Sequence, residues 1–145
     1  VAPIDILQEA QELVTDRDLI WPERLTEWSK DPTFTTPATE SERICIDGHV
    51  PNSTNKNRAK QEKIVGKDNL PSLSELAIAF AVNWIATGEP LFRWNKSGGW
   101  SYVVRAAGGA LSFNGNGLYV RVIYDAHSYV NVAVSSRAPG IKKTR

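Results

Sequence analysis

Methionine is absent, even from position 1, and cysteine occurs once, as Cys45. A single thiol excludes an internal disulfide and any metal site built on two thiolates. A chain that opens Val1-Ala2-Pro3 is expected to be secreted or released from a larger precursor, or to have lost its initiator. Long apolar runs are missing too. The longest, Leu76 to Ala86, is broken by Asn83 and falls well short of the roughly 20 residues that cross a bilayer, so no membrane span is expected. No repeat at a solenoid period occurs. No cofactor motif and no metal-ligand spacing occurs either, so neither a cofactor nor a metal is expected.

What is present is an ordinary globular composition in 145 residues, enough for one soluble domain with a sizeable core. The net charge of +1 hides an asymmetry. Residues 1–30 hold seven acids against three bases, residues 31–72 six of each, and residues 73–145 three acids against eight bases. The amino-terminal part is acidic and the carboxy-terminal part basic.

The pattern predicts an α+β fold: amino-terminal helices and a buried central helix, packed on a carboxy-terminal antiparallel meander of four to five strands. Ile4, Leu7, Ala10 and Val14 recur at helical spacing after Pro3, a residue suited to a first turn, which gives a helix over about residues 4–15. A shorter helix starts near Pro22 and carries Leu25 and Trp28. Residues 31–71, with prolines at 32, 37, 51 and 71, read as a long polar loop region. It allows one short strand at Ile44-Cys45-Ile46 and a helix over 57–65. Ser72 and Glu75 form a capping box, and the helix behind it, about 73–87, is apolar on nearly every face and therefore expected to be buried all round. Gly88 and Pro90 stop it.

Beyond Pro90 the period changes to two. Strands are expected at Leu91–Asn95, Trp100–Ala106, Ala110–Phe113, Leu118–Tyr124 and Tyr129–Ser135. Asn114-Gly115-Asn116-Gly117 marks a hairpin, and Asp125-Ala126-His127-Ser128 is expected to join the last two strands. Residues 137–145 form a basic tail.

Candidate functional residues are few. Cys45, between two isoleucines, reads as a small buried hydrophobe; a Cys45–His127 hydrolase pair is the less favoured reading. His127, in a turn between two strands beside Asp125, can act as acid or base near neutrality, although polar turns need polar residues in any case. Arg93, Arg105 and Arg121 lie on three strands. If they share the solvent face of the sheet with Tyr102, Tyr119 or Tyr129, they form a cationic, aromatic surface suited to phosphates and bases. The plainer reading is a solvated strand face. Lys56, Arg58 and Lys60 could extend such a surface. Trp84 and Trp94 are expected in the core, and Trp100 is an anchor if exposed.

Two functions follow. One is a non-enzymatic interaction or assembly module with a protein partner or self-association, for which the opposed charges suit head-to-tail contact. The other is an RNA-binding or RNA-cleaving domain on the basic sheet face, working without metal. In that domain His127 would exchange protons while Arg105 and Arg121 stabilise charge on phosphorus.

Overall fold

The structure, a computed structural model, describes residues 1–37, 45–92 and 102–138. Three helices open the chain: α1 (Pro3–Leu13), α2 (Pro22–Trp28) and α3 (Pro32–Thr35). Each begins with proline in its first turn, where the missing N–H leaves nothing unsatisfied. Ile4, Leu7 and Ala10 are the buried stripe of α1.

The described parts of the polar region 31–71 hold more regular structure than their composition suggests. Besides α3 they hold a strand β1 (Cys45–Asp47), a helix α4 (Arg58–Val65) and a 3₁₀ turn Lys67–Asn69. Asn57 caps α4 by accepting the Lys60 N–H at 3.0 Å. Asn52 and Asn55 take positive φ in the loop before it, a conformation asparagine tolerates.

The capped helix is α5 (Leu73–Thr87), with Ser72 Oγ accepting the Glu75 N–H and Glu75 Oε1 accepting the Ser72 N–H. Gly88 ends it in the left-handed conformation. Leu76, Ala77, Phe80 and Ala81 are buried, but Val82 and Ile85 are exposed, so the expectation of burial all round fails. The reason is geometric: α1, α3 and the sheet cover α5 from one side only among the described residues.

The main sheet contains β2 (Val103–Ala106), β3 (Gly109–Asn114), β4 (Gly117–Arg121) and β5 (Val132–Val134), in the order β4-β3-β2-β5. The first three strands form the expected antiparallel meander, with Asn114 opposite Gly117 across the Gly115-Asn116 turn. The last strand departs from it. β4 ends at Arg121, residues 122–131 cross the sheet, and β5 pairs parallel with β2. Asp125–Ser128 therefore closes no hairpin between β4 and β5; the Asp125 carbonyl instead accepts the Arg58 N–H of α4 at 3.0 Å. A separate pair joins β1 to β6 (Ser136–Ala138). Of the expected strand Leu91–Asn95, residues beyond 92 lie outside the described ones, as do Arg93, Trp94, Trp100 and the tail from 139.

Alternation divides the sheet into two faces. Val104, Ala106, Leu111, Phe113 and Leu118 join Leu7, Leu76 and Phe80 in the main core under the helices. Val103, Ala110 and Val132 form a second, smaller core on the other face, with Ile123 and Tyr129 against it. That second face was expected to be open to solvent. Instead α4 and residues 122–131 lie over part of it. Both outer strands are covered: the chain at Leu19–Trp21 bonds to Leu118 on β4, and the Val50 N–H donates to the Val134 carbonyl on β5.

The β4 cover demands a glycine. Gly117 has φ +109, and a Cβ there would lie 2.9–3.0 Å from backbone atoms of Ile20, Asp18 and Trp21. Gly117→Ala is therefore expected to cost about 2 kcal/mol or more. The check is the denaturation midpoint; no shift would mean that Leu19–Trp21 does not press on this edge. No described helix is long and apolar enough to cross a membrane.

Candidate functional site

The register places Arg105 opposite Ala110, and Ala110 opposite Arg121. Paired residues point to the same side of a sheet, so the two arginines flank one small side chain in a single row, their Cα atoms about 10 Å apart across three strands. Above this row is a cleft of about 300 Å³, lined by Arg58, Arg105, Gly108, Gly109, Arg121 and Asp125 among others. Three arginines from β2, β4 and α4 thus converge on one concavity.

Arg105 is the unusual member. The expectation put it on a solvated face, but it is 1 % exposed. Its Nε donates to Gln61 Oε1 at 2.6 Å and its Nη1 to Asp125 Oδ1 at 3.1 Å. Gln61, fully buried on α4, donates through Nε2 to the carbonyls of Ser53 and Val132, both at 2.9 Å. Ser53 Oγ in turn donates to the Val50 carbonyl and accepts the Val134 N–H. The network fixes the guanidinium from behind, while Ser135 bonds its backbone carbonyl through both N–H and hydroxyl. Buried Nη2 has no hydrogen-bond partner among the described residues. Leaving a charged donor unsatisfied costs more than the 1–3 kcal/mol typical of neutral groups. Burial lowers the pKa of this arginine from its ordinary value, with Asp125 opposing; an arginine nonetheless stays charged.

Arg58 is held at the rim. Its Nε donates to Glu62 Oε1 at 2.7 Å and its Nη1 to Asp125 Oδ2 at 3.3 Å. The Glu62 hydrogen bond raises its pKa, outweighing partial burial, with Asp125 adding to the rise. Arg121 is exposed, and no ion pair holds it among the described residues.

The other expected site residues scatter. His127 is exposed on the turn after Asp125, its Nδ1 3.4 Å from the Tyr129 hydroxyl and its ring 5.3 Å from that of Tyr124. Two residues of chain keep its Cα within about 7 Å of that of Asp125, yet His127 does not line the cleft. Tyr102 belongs to the helix-side core and stacks on His49 at 5.4 Å, so it leaves the arginine face. Tyr119 is on that face but buried, stacked on Trp21 at 4.4 Å. Lys56 turns its Nζ to the carbonyls of Asn52 and Thr54 in its own loop. Lys60 is exposed on α4 and does not line the cleft. Arg93 lies outside the described residues. Cys45 is exposed rather than buried; among the described residues β1 pairs only with β6, in a two-stranded sheet apart from the main one. No contact joins it to either histidine among the described residues. Trp84 is half-buried, with the Arg17 guanidinium over its ring at 4.9 Å.

Gln61, Glu62 and Asp125 were not among the expected site residues. The signal for the first two was present: Gln61 and Glu62 follow Arg58 by three and four positions, on one helix face, while Lys60 and Lys63 fall elsewhere. Comparison with known protein families, with curated proteins and with solved structures returned no match. The cleft is therefore read from its own chemistry.

Proposed function

We propose that the chain is a non-enzymatic binding module for single-stranded RNA, which holds phosphate in the Arg58–Arg105–Arg121 cleft. The observation that carries this reading is the buried Arg105, oriented by Gln61 and left with one donor unsatisfied beside a concave, net positive surface. Planar guanidiniums match the oxygens of phosphate, and a fixed one loses little freedom on binding. RNA is favoured over a bare anion because Tyr124, 65 % exposed, stands with His127 on the segment that forms the cleft wall. Stacking on such rings contributes about 1–3 kcal/mol per base. Binding is favoured over cleavage because, among the described residues, the His127 ring bonds to the Tyr129 hydroxyl and does not line the cleft.

The test is titration of a labelled single-stranded RNA at several salt concentrations. Affinity is expected to fall as salt rises. Arg121→Ala should weaken binding about tenfold, or roughly 1.4 kcal/mol. Because Arg121 is exposed and has no ion pair among the described residues, the stability of that variant should stay within about 0.5 kcal/mol of wild type. Salt-independent binding, or none, would sink the reading. Light scattering that showed self-association in its place would favour the assembly module instead.

A further inference from the structure

The cleft already contains an anion. Asp125 places one carboxylate oxygen 3.1 Å from Arg105 Nη1 and the other 3.3 Å from Arg58 Nη1. It bridges the two guanidiniums as two oxygens of a single ligand would. Yet this carboxylate is 65 % exposed, on an exposed turn, and it leaves Arg105 Nη2 without an acceptor. An exposed carboxylate regains water when it swings out, so its departure costs little. A buried guanidinium cannot be left alone, so whatever replaces Asp125 must offer more than Asp125 does.

Charge and oxygen count then select the ligand. With Asp125 turned out of the cleft, Arg58, Arg105 and Arg121 line it and Glu62 pairs with Arg58, an excess of two positive charges among the described residues. An internal phosphodiester brings one negative charge and two free oxygens. A phosphomonoester brings about −1.5 to −2 at neutral pH and three acceptor oxygens. The three oxygens suit Nη1 and Nη2 of Arg105 together with Nη1 of Arg58.

The surroundings also favour an end over a continuous strand. At the opposite end of β4, about 13 Å from Arg121 at 3.3 Å per residue, a second cleft of about 410 Å³ lies beside Trp21, which stacks on Tyr119 of the arginine face. It is lined by Asp18, Glu23 and Glu27, with Arg24 already paired to Glu27 at 2.7 Å. A polyanion running past Arg121 in that direction meets like charge, whereas one that stops in the cleft does not.

We infer that the arginine cleft is a subsite for the terminal phosphomonoester of a nucleic-acid end, with Asp125 as the resident anion that this phosphate displaces. The inference rests on the RNA-binding reading and narrows it. The full chain is titrated with one short single-stranded RNA in three forms, bearing a 5′-phosphate, a 3′-phosphate or hydroxyls at both ends, and inorganic phosphate is added as competitor. At least one phosphorylated form should bind about tenfold or more tightly than the hydroxyl form, and inorganic phosphate should erase that difference. Asp125→Asn should lower the melting temperature, and inorganic phosphate should raise it further in the variant than in wild type. Equal affinity for all three RNAs overturns the terminal-phosphate assignment and leaves phosphodiester binding standing. Binding of inorganic phosphate without any RNA keeps the subsite and removes the RNA reading. If neither phosphate nor RNA binds, both are wrong.

Discussion

Replacing Arg105 with methionine is expected to reduce RNA affinity by about a hundredfold or more and to destabilise the fold by about 2–4 kcal/mol. The affinity loss follows from position. Arg105 is the only arginine of the cleft that is held from behind by a buried amide, and a charged hydrogen bond to a ligand is worth about 1.5–3 kcal/mol. The stability loss has two parts. Methionine leaves Gln61 Oε1 without its donor in a fully buried position, and it fills the volume of the guanidinium imperfectly. Two effects run the other way. Removing a buried charge recovers desolvation free energy, and Asp125, largely in water, adapts at small cost. The unsatisfied amide decides the sign. Arg105→Lys should restore part of the stability but little of the binding, since one ammonium cannot serve Gln61, Asp125 and a phosphate in the fork geometry. Denaturant titration gives the first quantity and RNA titration the second; a methionine variant that bound normally would remove Arg105 from the site.

Phe80→Ala should have the larger effect on folding, about 3–5 kcal/mol. The ring is fully buried where α5 meets β3, with Phe113 at 4.8 Å, Phe92 at 5.1 Å and Trp84 at 6.4 Å between centroids. These neighbours come from the helix, the sheet and the chain after Pro90, and no one of them can collapse into the space without losing its other contacts. In a chain of this size that corresponds to a fall in melting temperature of about 10 °C or more. The arginine face is on the other side of the sheet, so at temperatures where the variant is folded its RNA affinity should stay within about twofold of wild type. A small shift in melting would mean that this aromatic cluster is not the centre of the core.

These two sites differ in how far they can be read from sequence, and the difference is one of range. Ser72, Glu75 and the apolar run behind them announce α5 within four residues, and Asn114–Gly117 announces its hairpin just as locally. The same alternation that predicts strands singles out Arg105 and Arg121. It does not say whether their face is open or covered. The covering comes from contacts between distant positions: Arg105 meets Gln61 across 44 residues, and Arg58 meets Asp125 across 67. No periodicity within a short window encodes such pairs. For the same reason the crossing of residues 122–131 was not legible. Asp125–Ser128 has the composition of a tight turn, but β5 lies parallel beside β2 rather than against β4, and Asp125 bonds to α4 instead. The chemistry of His127 and its place in a turn point to it from sequence, and the fold puts it near the cleft but not in its wall.

The parallel pairing of β5 with β2 sets an order of events on the chain. Until Val132 to Val134 have been made, β2 has a bare edge, and Arg105 lacks the strand whose Val132 carbonyl helps seat Gln61. A nascent or shortened polypeptide stopping near residue 131 would therefore expose adhesive backbone next to an ungripped cation. Such a fragment should clump rather than fold as a smaller version of the protein.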